Sequence, residues 1–493
     1  METITSIKPL LAVIVSLIAV VPIVLSSTRP NIREGWTFAA GIIKFLIVAS
    51  MVPVILGGST INYTLLEVLP GIAIRFRVDS LGLLFALVAS TLWIVTSAYS
   101  IGYMRGLKEH SQTRYFSFFA LALSGTIGVA FAANLFTLYL FYEMLSLATY
   151  PLVTHHQDKK SRASGRKYLT FILGTSIGLV LPAMLIIYSM TGTLEFSSQG
   201  LLAGTTSTTT VVVLLLMFIF GFAKAGIMPF HGWLPAAMVA PTPVSALLHA
   251  VAVVKVGVFS IFRIVTGVFG VDLLQTLGLG TLLCYIAAFT IIAASLIALS
   301  QNELKRRLAF STIGQLSYIV LGAALLSPKG LAGGMIHIAM HAFGKITLFF
   351  CAGAIFVATG KKYISDMAGI GKRMPITMLA FLIGSLSVIG LPPTGGFISK
   401  WYLVLGTLEA GQQFMLVVLL ASSLLNAAYF LPIFYRAFFC PPKESMFEER
   451  VEEASFWCVA PLVFTALVSI ILFFYPQPFV ALAKMAVKQI TGG

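Results

Sequence analysis

Stretches of apolar sequence long enough to cross a bilayer recur along the whole of this 493-residue chain, and nothing else constrains its fold more. A hydrocarbon core about 30 Å thick takes roughly 20 apolar residues as a helix, and backbone polar groups inside it must pair within their own segment. Such stretches fall at 8–26, 36–57, 79–104, 115–132, 134–153, 168–190, 211–228, 244–266, 273–299, 308–326, 332–359, 375–403, 411–439 and 455–485. They predict an all-α polytopic membrane protein with about fourteen transmembrane helices. The run 220–245 is the least regular, because MPFHGWLPAAMVAPTP fits a short extra helix, a re-entrant segment or the broken end of a span. The longest polar interruptions, 192–210 and 440–454, are too short to build a soluble core.

With 58% hydrophobic and 10% charged residues and a mean hydropathy of +0.97, soluble-domain expectations do not apply. A net charge of +15 would suggest nucleic acid in a soluble protein. Here the basic residues sit mainly between apolar runs, where they set orientation, and no nucleic-acid partner is expected. Twenty of the 32 lysines and arginines, among them Arg105, Lys108, Arg114, Lys159 and Arg307, fall on one set of alternate loops, against seven on the other set and the termini. This asymmetry predicts a multi-pass protein of the cell (inner) membrane with both termini on the non-cytoplasmic side. The run after Lys8 reads as the first span, since it is long and lacks a clear A-x-A cleavage site. Cys284, Cys351, Cys440 and Cys458 form no C-x-x-C pair, so the cysteines offer no cofactor handle. The acidic cluster Glu444, Glu448, Glu449, Glu452 and Glu453 reads as a solvated loop face and helix start, with partner docking as the alternative.

Five lysines and one acid remain inside the spans: Lys44, Lys224, Lys255, Lys345, Lys400 and Glu143. Each charge at the bilayer centre costs at least about 2.5–3.5 kcal/mol, so such residues are expected to face the bundle interior, paired or hydrated. Lys44 lies within about two turns of its span's start and is expected to snorkel to the headgroups. Glu143 is the natural counter-ion for one of the other lysines. An ion pair favours the charged form of a lysine and desolvation the neutral form, so a buried lysine whose partner moves can exchange a proton. A static salt bridge would explain one lysine and not four.

MIHIAMHAFGKITLFF sets His337, His341 and Lys345 at i, i+4 and i+8, on nearly one helix face, where neighbouring groups can pass a proton directly or through water. Metal ligation is the rival chemistry there, and no cysteine or second carboxylate completes a closed site. His249 and Lys255, six residues apart, point about 120° from each other on a regular helix. They can serve different neighbours along one pathway.

Two lysines adjoin helix breakers. Lys224 precedes Gly226, Pro229 and Gly232, and Lys400 follows Pro392, Pro393, Gly395 and Gly396. Breaks of this kind survive in a membrane only where they line a protein-enclosed or watery cavity, and paired breaks in two halves of a chain suggest an inverted repeat.

These residues resemble the antiporter-like subunits shared by respiratory complex I, membrane-bound hydrogenases and the multisubunit Mrp cation/proton antiporters. The resemblance rests on KAGIMPFHGWLPAAMVAPTPVSALLHA (224–250), with support from VDSLGLLFALV (78–88), YSIGYM (99–104), the Glu143 segment, KRRLAFSTIGQLSYI (305–319), HIAMHAFGK (337–345) and GLPPTGGFISKW (390–401). It implies two inverted five-helix repeats with helices seven and twelve broken, giving units 1–114, 115–266, 267–440 and 441–493. It also implies Glu143 and Lys224 as a pair, with Lys255, the His337/His341/Lys345 group and Lys400 along a hydrophilic axis. Lysine at both 255 and 400 in a chain of this length is most similar to the Mrp D subunit, while hydrogenase subunits keep the same pattern.

The expected function is therefore a proton-translocating subunit of a Mrp-type Na+/H+ antiporter rather than an enzyme, without a bound cofactor, set among homologous and small membrane subunits in the lipid bilayer. The alternative is a pump module of a complex I-like dehydrogenase or a membrane-bound hydrogenase. A stand-alone organic-solute transporter fits less well, since one acid and four lysines outline no pocket for a polar molecule. The sodium route is not apparent, because a hard cation wants oxygen ligands and the spans offer only Glu143, hydroxyls and freed carbonyls.

Overall fold

The computed structural model of the chain describes residues 2–204, 207–441 and 452–492. Among the described residues eight helices are long and apolar enough to cross a membrane: Lys8–Leu25, Pro30–Leu56, Ser80–Gly106, Lys159–Thr191, Leu279–Ser300, Pro328–Thr359, Gln413–Phe439 and Phe456–Phe474. Helices that are shorter, broken or less apolar occupy the other apolar stretches, including Gln112–Ala130, Leu135–Val153, Thr208–Gly221, Thr242–Ala250, Val253–Arg263, Leu304–Ala324 and Pro375–Ile389. The protein is a helical, multi-pass membrane protein.

Pro328–Thr359 is the axis of the bundle. Its 32 residues rise about 48 Å, and it packs against Ser80–Gly106, Thr242–Ala250, Leu304–Ala324, Pro375–Ile389, Gly395–Glu409 and Phe456–Phe474. Small residues permit this crowding: a Cβ on Gly334 would lie 3.0 Å from the Ile319 carbonyl oxygen, and one on Gly322 2.6 Å from the Gly334 Cα. His337, His341 and Lys345 lie in the buried middle of this helix.

Both expected helix breaks are present. Thr208–Gly221 ends in a single tight turn, Ala223–Ala225, and Gly226 takes φ +72° before helix resumes at Trp233–Ala236. In the second half Pro375–Ile389 stops at Gly390, with φ +88°, and helix resumes at Gly395–Glu409. The freed backbone at the first break is partly met by the Trp233 indole, whose Nε1 donates to the Ala223 carbonyl at 2.9 Å.

Three sequence expectations need correction. The chain is not entirely α-helical: Thr3–Thr5, Thr60–Leu69 and Ile72–Val78 form a three-stranded sheet, parallel then antiparallel, with the hairpin turning at Pro70 and Gly71 (φ +75°). The stretch 455–485 is not one span, because Phe456–Phe474 ends before Pro476 and a separate helix, Gln477–Thr491, follows. Nor does Lys44 reach the headgroups. It is fully buried, donating to Ser16 Oγ at 2.6 Å, with its ammonium 5.1 Å from the Trp93 ring centroid.

A buried ion pair fastens the start of Ser80–Gly106 to the end of Val253–Arg263. Asp79 caps Ser80–Gly106 by accepting from the Gly82 N–H at 2.8 Å, and its carboxylate meets the Arg263 guanidinium in two contacts of 2.5 and 2.6 Å. Such a bidentate fork joins residues 184 apart in sequence with fixed geometry. A second buried acid, Glu34, pairs with Arg105 and Arg33.

Candidate functional site

The lysines inside the bundle are held by helix carbonyls, hydroxyls and ring faces. Lys224, in the tight turn at the first break, is fully buried. Its ammonium donates to the Tyr142 carbonyl at 2.5 Å and to Ser146 Oγ at 2.7 Å, and it sits 3.2 Å from the Tyr142 ring centroid. A desolvated ammonium over an aromatic face gains cation–π attraction that an aliphatic wall would not supply.

The expected Glu143–Lys224 contact is absent. Both Glu143 oxygens are enclosed, yet among the described residues neither has a hydrogen-bond partner. Helix geometry accounts for this: Tyr142 and Ser146 lie one turn apart on the face toward Lys224, and Glu143 is rotated about 100° from Tyr142. The acid is a sequence neighbour of the lysine's ligands, not a ligand itself.

From Lys255 a chain of contacts runs across the bundle. Lys255 Nζ lies 2.7 Å from His341 Nδ1, joining Val253–Arg263 to the axial helix. The His341 and His337 rings stack with centroids 5.6 Å apart, and His337 Nδ1 lies 2.8 Å from Ser399 Oγ. Ser399 neighbours Lys400, whose ammonium donates to the Ile389 carbonyl at 2.9 Å and Ser423 Oγ at 3.0 Å, and lies 4.7 Å from the Tyr318 ring centroid. Lys400 therefore bridges the two halves of its broken helix. Tyr318 closes the circuit, its ring centroid 5.6 Å from that of His337.

Lys345 branches away. It donates to Ser311 Oγ at 2.8 Å, and Ser311 accepts from the Tyr429 hydroxyl at 3.0 Å. His337, His341 and Lys345 share a helix, as expected, but each is aimed at a different neighbouring element. The side chain of His249 lies outside the described residues.

Lys224 is joined to this chain through the backbone. An added Cβ on Gly257 would lie 2.1 Å from the Ala225 nitrogen and 2.3 Å from the Lys224 carbonyl carbon, so the first break rests directly on the helix that carries Lys255. Gly257→Ala is expected to lower the thermal unfolding temperature of the purified protein and its transport rate together, by overpacking worth about 1–3 kcal/mol. An alanine variant as stable and active as the parent would show that the break is not seated there.

A cavity of about 800 Å³ opens on the basic face beside the first break, with Lys167, His231, Gly232 and Lys305 in its wall. His231 is the residue in this wall just past the break. The sequence alone does not single out the residues that hold the lysines, Tyr142, Ser146, Ser311, Tyr318 and Ser423, nor Ser399 against His337 and Tyr429 against Ser311. Single hydroxyls inside apolar helices are common, and only the rotation of the helices shows which ones matter. Nor does it single out the buried pairs Asp79–Arg263 and Glu34–Arg105, because each residue lies near a helix end and reads as a loop charge.

The family described as NADH:quinone oxidoreductase/Mrp antiporter, TM, matches residues 132–426, more than half of the chain. The chain belongs to this family. Among curated relatives, NADH-quinone oxidoreductase subunit N of Desulforudis audaxviator is 38% identical over 379 residues, covering 75% of this chain and 74% of the relative. One Na(+)/H(+) antiporter subunit of Alkalihalophilus pseudofirmus is 30% identical over 478 residues, covering 90% of this chain and 58% of the relative, so the chain spans under two thirds of that protein. Among solved structures, the Mrp complex from a Dietzia species contains a chain that superposes with a TM-score of 0.87 at 23% identity, covering 98% of this chain and 97% of the other. That likeness establishes a shared fold. The chain is thus an antiporter-like member of the complex I and Mrp superfamily, and the family match includes both breaks and all of the interior lysines except Lys44.

Proposed function

We propose that this chain is a proton-translocating subunit of a multisubunit Mrp-type Na+/H+ antiporter, working beside homologous and small membrane partners. The observation that carries the reading is the line of buried contacts Lys255–His341–His337–Ser399/Lys400, which joins Val253–Arg263 through the axial helix to the second break by way of two lysines and two imidazoles that can take or release a proton and a serine hydroxyl that can relay one. Structural polar residues inside a bilayer are expensive, and a row of them is a usual mark of an ion pathway.

In this reading protons reach Lys224 at the first break, pass by water to Lys255, and continue through the two imidazoles to Lys400. Lys345 and His249 flank that line. Glu143 acts through its field on Lys224 rather than through a contact, and the inverted repeats 115–266 and 267–440 carry the two halves of the path. Sodium is assigned no route through this chain.

A second reading is supported by the 38% identity to an NADH-quinone oxidoreductase subunit: the same path would then serve as the pump module of a redox complex. Purifying the intact assembly and identifying its partners separates the two. Co-purification with other antiporter subunits, together with Na+-driven proton movement in vesicles, is expected. Partners carrying iron–sulfur or flavin groups, with no response to Na+, would overturn the antiporter reading in favour of the second.

A further inference from the structure

Three of the chain's seven histidines lie away from the proton path, around one carboxylate on the basic face. Oε2 of Glu109 lies 3.8 Å from His110 Nδ1, 3.6 Å from His155 Nε2 and 3.6 Å from His156 Nδ1. Ligand atoms of Glu109, His110 and His156 all fall within 4.8 Å of one another. We propose that Glu109, His110 and His156, with His155 as fourth ligand, form a binding site for a first-row divalent metal ion of the Zn2+ class.

The distances carry the first part of the argument. They are too long for N–H···O hydrogen bonds, which fall at about 2.7–3.2 Å. Metal–ligand bonds of about 2.0–2.2 Å in a tetrahedron set neighbouring ligand atoms roughly 3.3–3.5 Å apart. The spacings to Glu109 Oε2 are close to that edge, and drawing in ligand atoms that lie up to 4.8 Å from one another takes movements of roughly 1 Å, within reach of side-chain rotation.

His155 supplies an independent observation. Its side chain is fully buried, and among the described residues neither ring nitrogen has a hydrogen-bond partner. A buried imidazole with both nitrogens unsatisfied is costly, and its Nε2 is turned toward the Glu109 carboxylate. A metal bond at that atom would satisfy it.

The scaffold is already in place. Lys108 and Ser111 take φ +49° and +51°, turning the loop tightly around Glu109 and His110. Within it the Glu109 N–H donates to the Met104 carbonyl at 2.9 Å, and Gln112 Nε2 donates to the Glu109 carbonyl at 3.1 Å. Arg114 reaches across to the His155 carbonyl at 2.7 Å and fixes the second loop against the first.

The donor set selects the ion. Three imidazoles and one carboxylate suit Zn2+, Co2+ or Ni2+, whereas Ca2+ and Mg2+ require oxygen ligands. Glu109 and His156 also line the 800 Å³ cavity that reaches Lys167 and His231. A bound cation would therefore add positive charge at the mouth of that cavity. If the proposed proton path is correct, Zn2+ would slow transport from that side.

The test is binding, which does not depend on the transport reading. The intact complex, purified with a histidine-free tag, is titrated with Co2+ while the intense visible absorption of four-coordinate Co2+ is followed, and then with Zn2+ in competition. About one ion per chain is expected at this site. The variants H156A and E109Q should each weaken binding by about tenfold or more, in line with the loss of one ligand from a closed site. H337A, in the second histidine group, should bind as the parent does. His110 and His156 are 51% and 35% exposed in their side chains, so alanine there leaves the fold intact. Unchanged affinity in H156A and H110A, or loss that follows H337A instead, would overturn the proposal.

Discussion

Replacing Lys224 with alanine is expected to reduce proton translocation by about a hundredfold or more, equal to roughly 2.7 kcal/mol in the barrier, while the complex still assembles. The ammonium is fully buried and bound to Tyr142 and Ser146, so its removal takes the titratable group from the first break. Lys224→Arg separates a proton carrier from a fixed charge. Arginine restores the positive charge but does not release its proton at any working pH, so K224R should be about as inactive as K224A. Vesicles assayed with a pH-sensitive dye, normalised to the amount of this chain present in the assembled complex, give the readout. A fully active K224R would mean that Lys224 serves as a static counter-charge.

Lys255 and His341 are expected to act as one step. Their nitrogens are 2.7 Å apart across 86 residues of sequence, and this contact joins the helix that seats the first break to the axial helix. Lys255→Ala and His341→Ala should each slow transport by about a hundredfold, and the double variant should be no slower than either single one. Groups that act as a unit are non-additive in this way. Effects that multiply would place the two residues on separate routes.

Much of the fold was legible because its signals are local. Hydropathy set the spans, and the glycines and prolines after Lys224 and before Lys400 located both breaks without reference to partners. The sheet also has a local signal, since TINYTLLEVLPGIAIRFRV carries strand-forming residues around a Pro-Gly turn, but an all-α expectation built on the apolar spans leaves it out. Lys44 was misjudged for a different reason. Distance from a helix end gives the reach of its stem, not whether its face looks toward lipid or toward Ser16 and Trp93.

The same limit applies to the site. Glu143 and Lys224 are both legible as interior charges, but the pairing expected of them is absent, because a rotation of one residue along the helix gives the lysine to Tyr142 and Ser146 instead. Asp79 and Arg263, 184 residues apart, each look like loop charges until the fold brings them together. Of the acidic cluster, Glu444, Glu448 and Glu449 lie outside the described residues. Glu453 has a definite role, its carboxylate accepting from the Ile376 N–H at 2.7 Å and the Thr377 N–H at 3.1 Å at the start of Pro375–Ile389. That is favourable capping of a helix N-terminus.

In the proposed mechanism protons cross the bundle by way of the second break, where Lys400 ties Gly395–Glu409 to the Ile389 carbonyl. The most direct measurement is the initial proton flux of the reconstituted complex in proteoliposomes, comparing the parent with Lys400→Ala at equal content of assembled complex. The variant's flux is expected to fall by about a hundredfold even though Lys224, Lys255 and His341 are intact. Parent-level flux from an assembled K400A complex would contradict it.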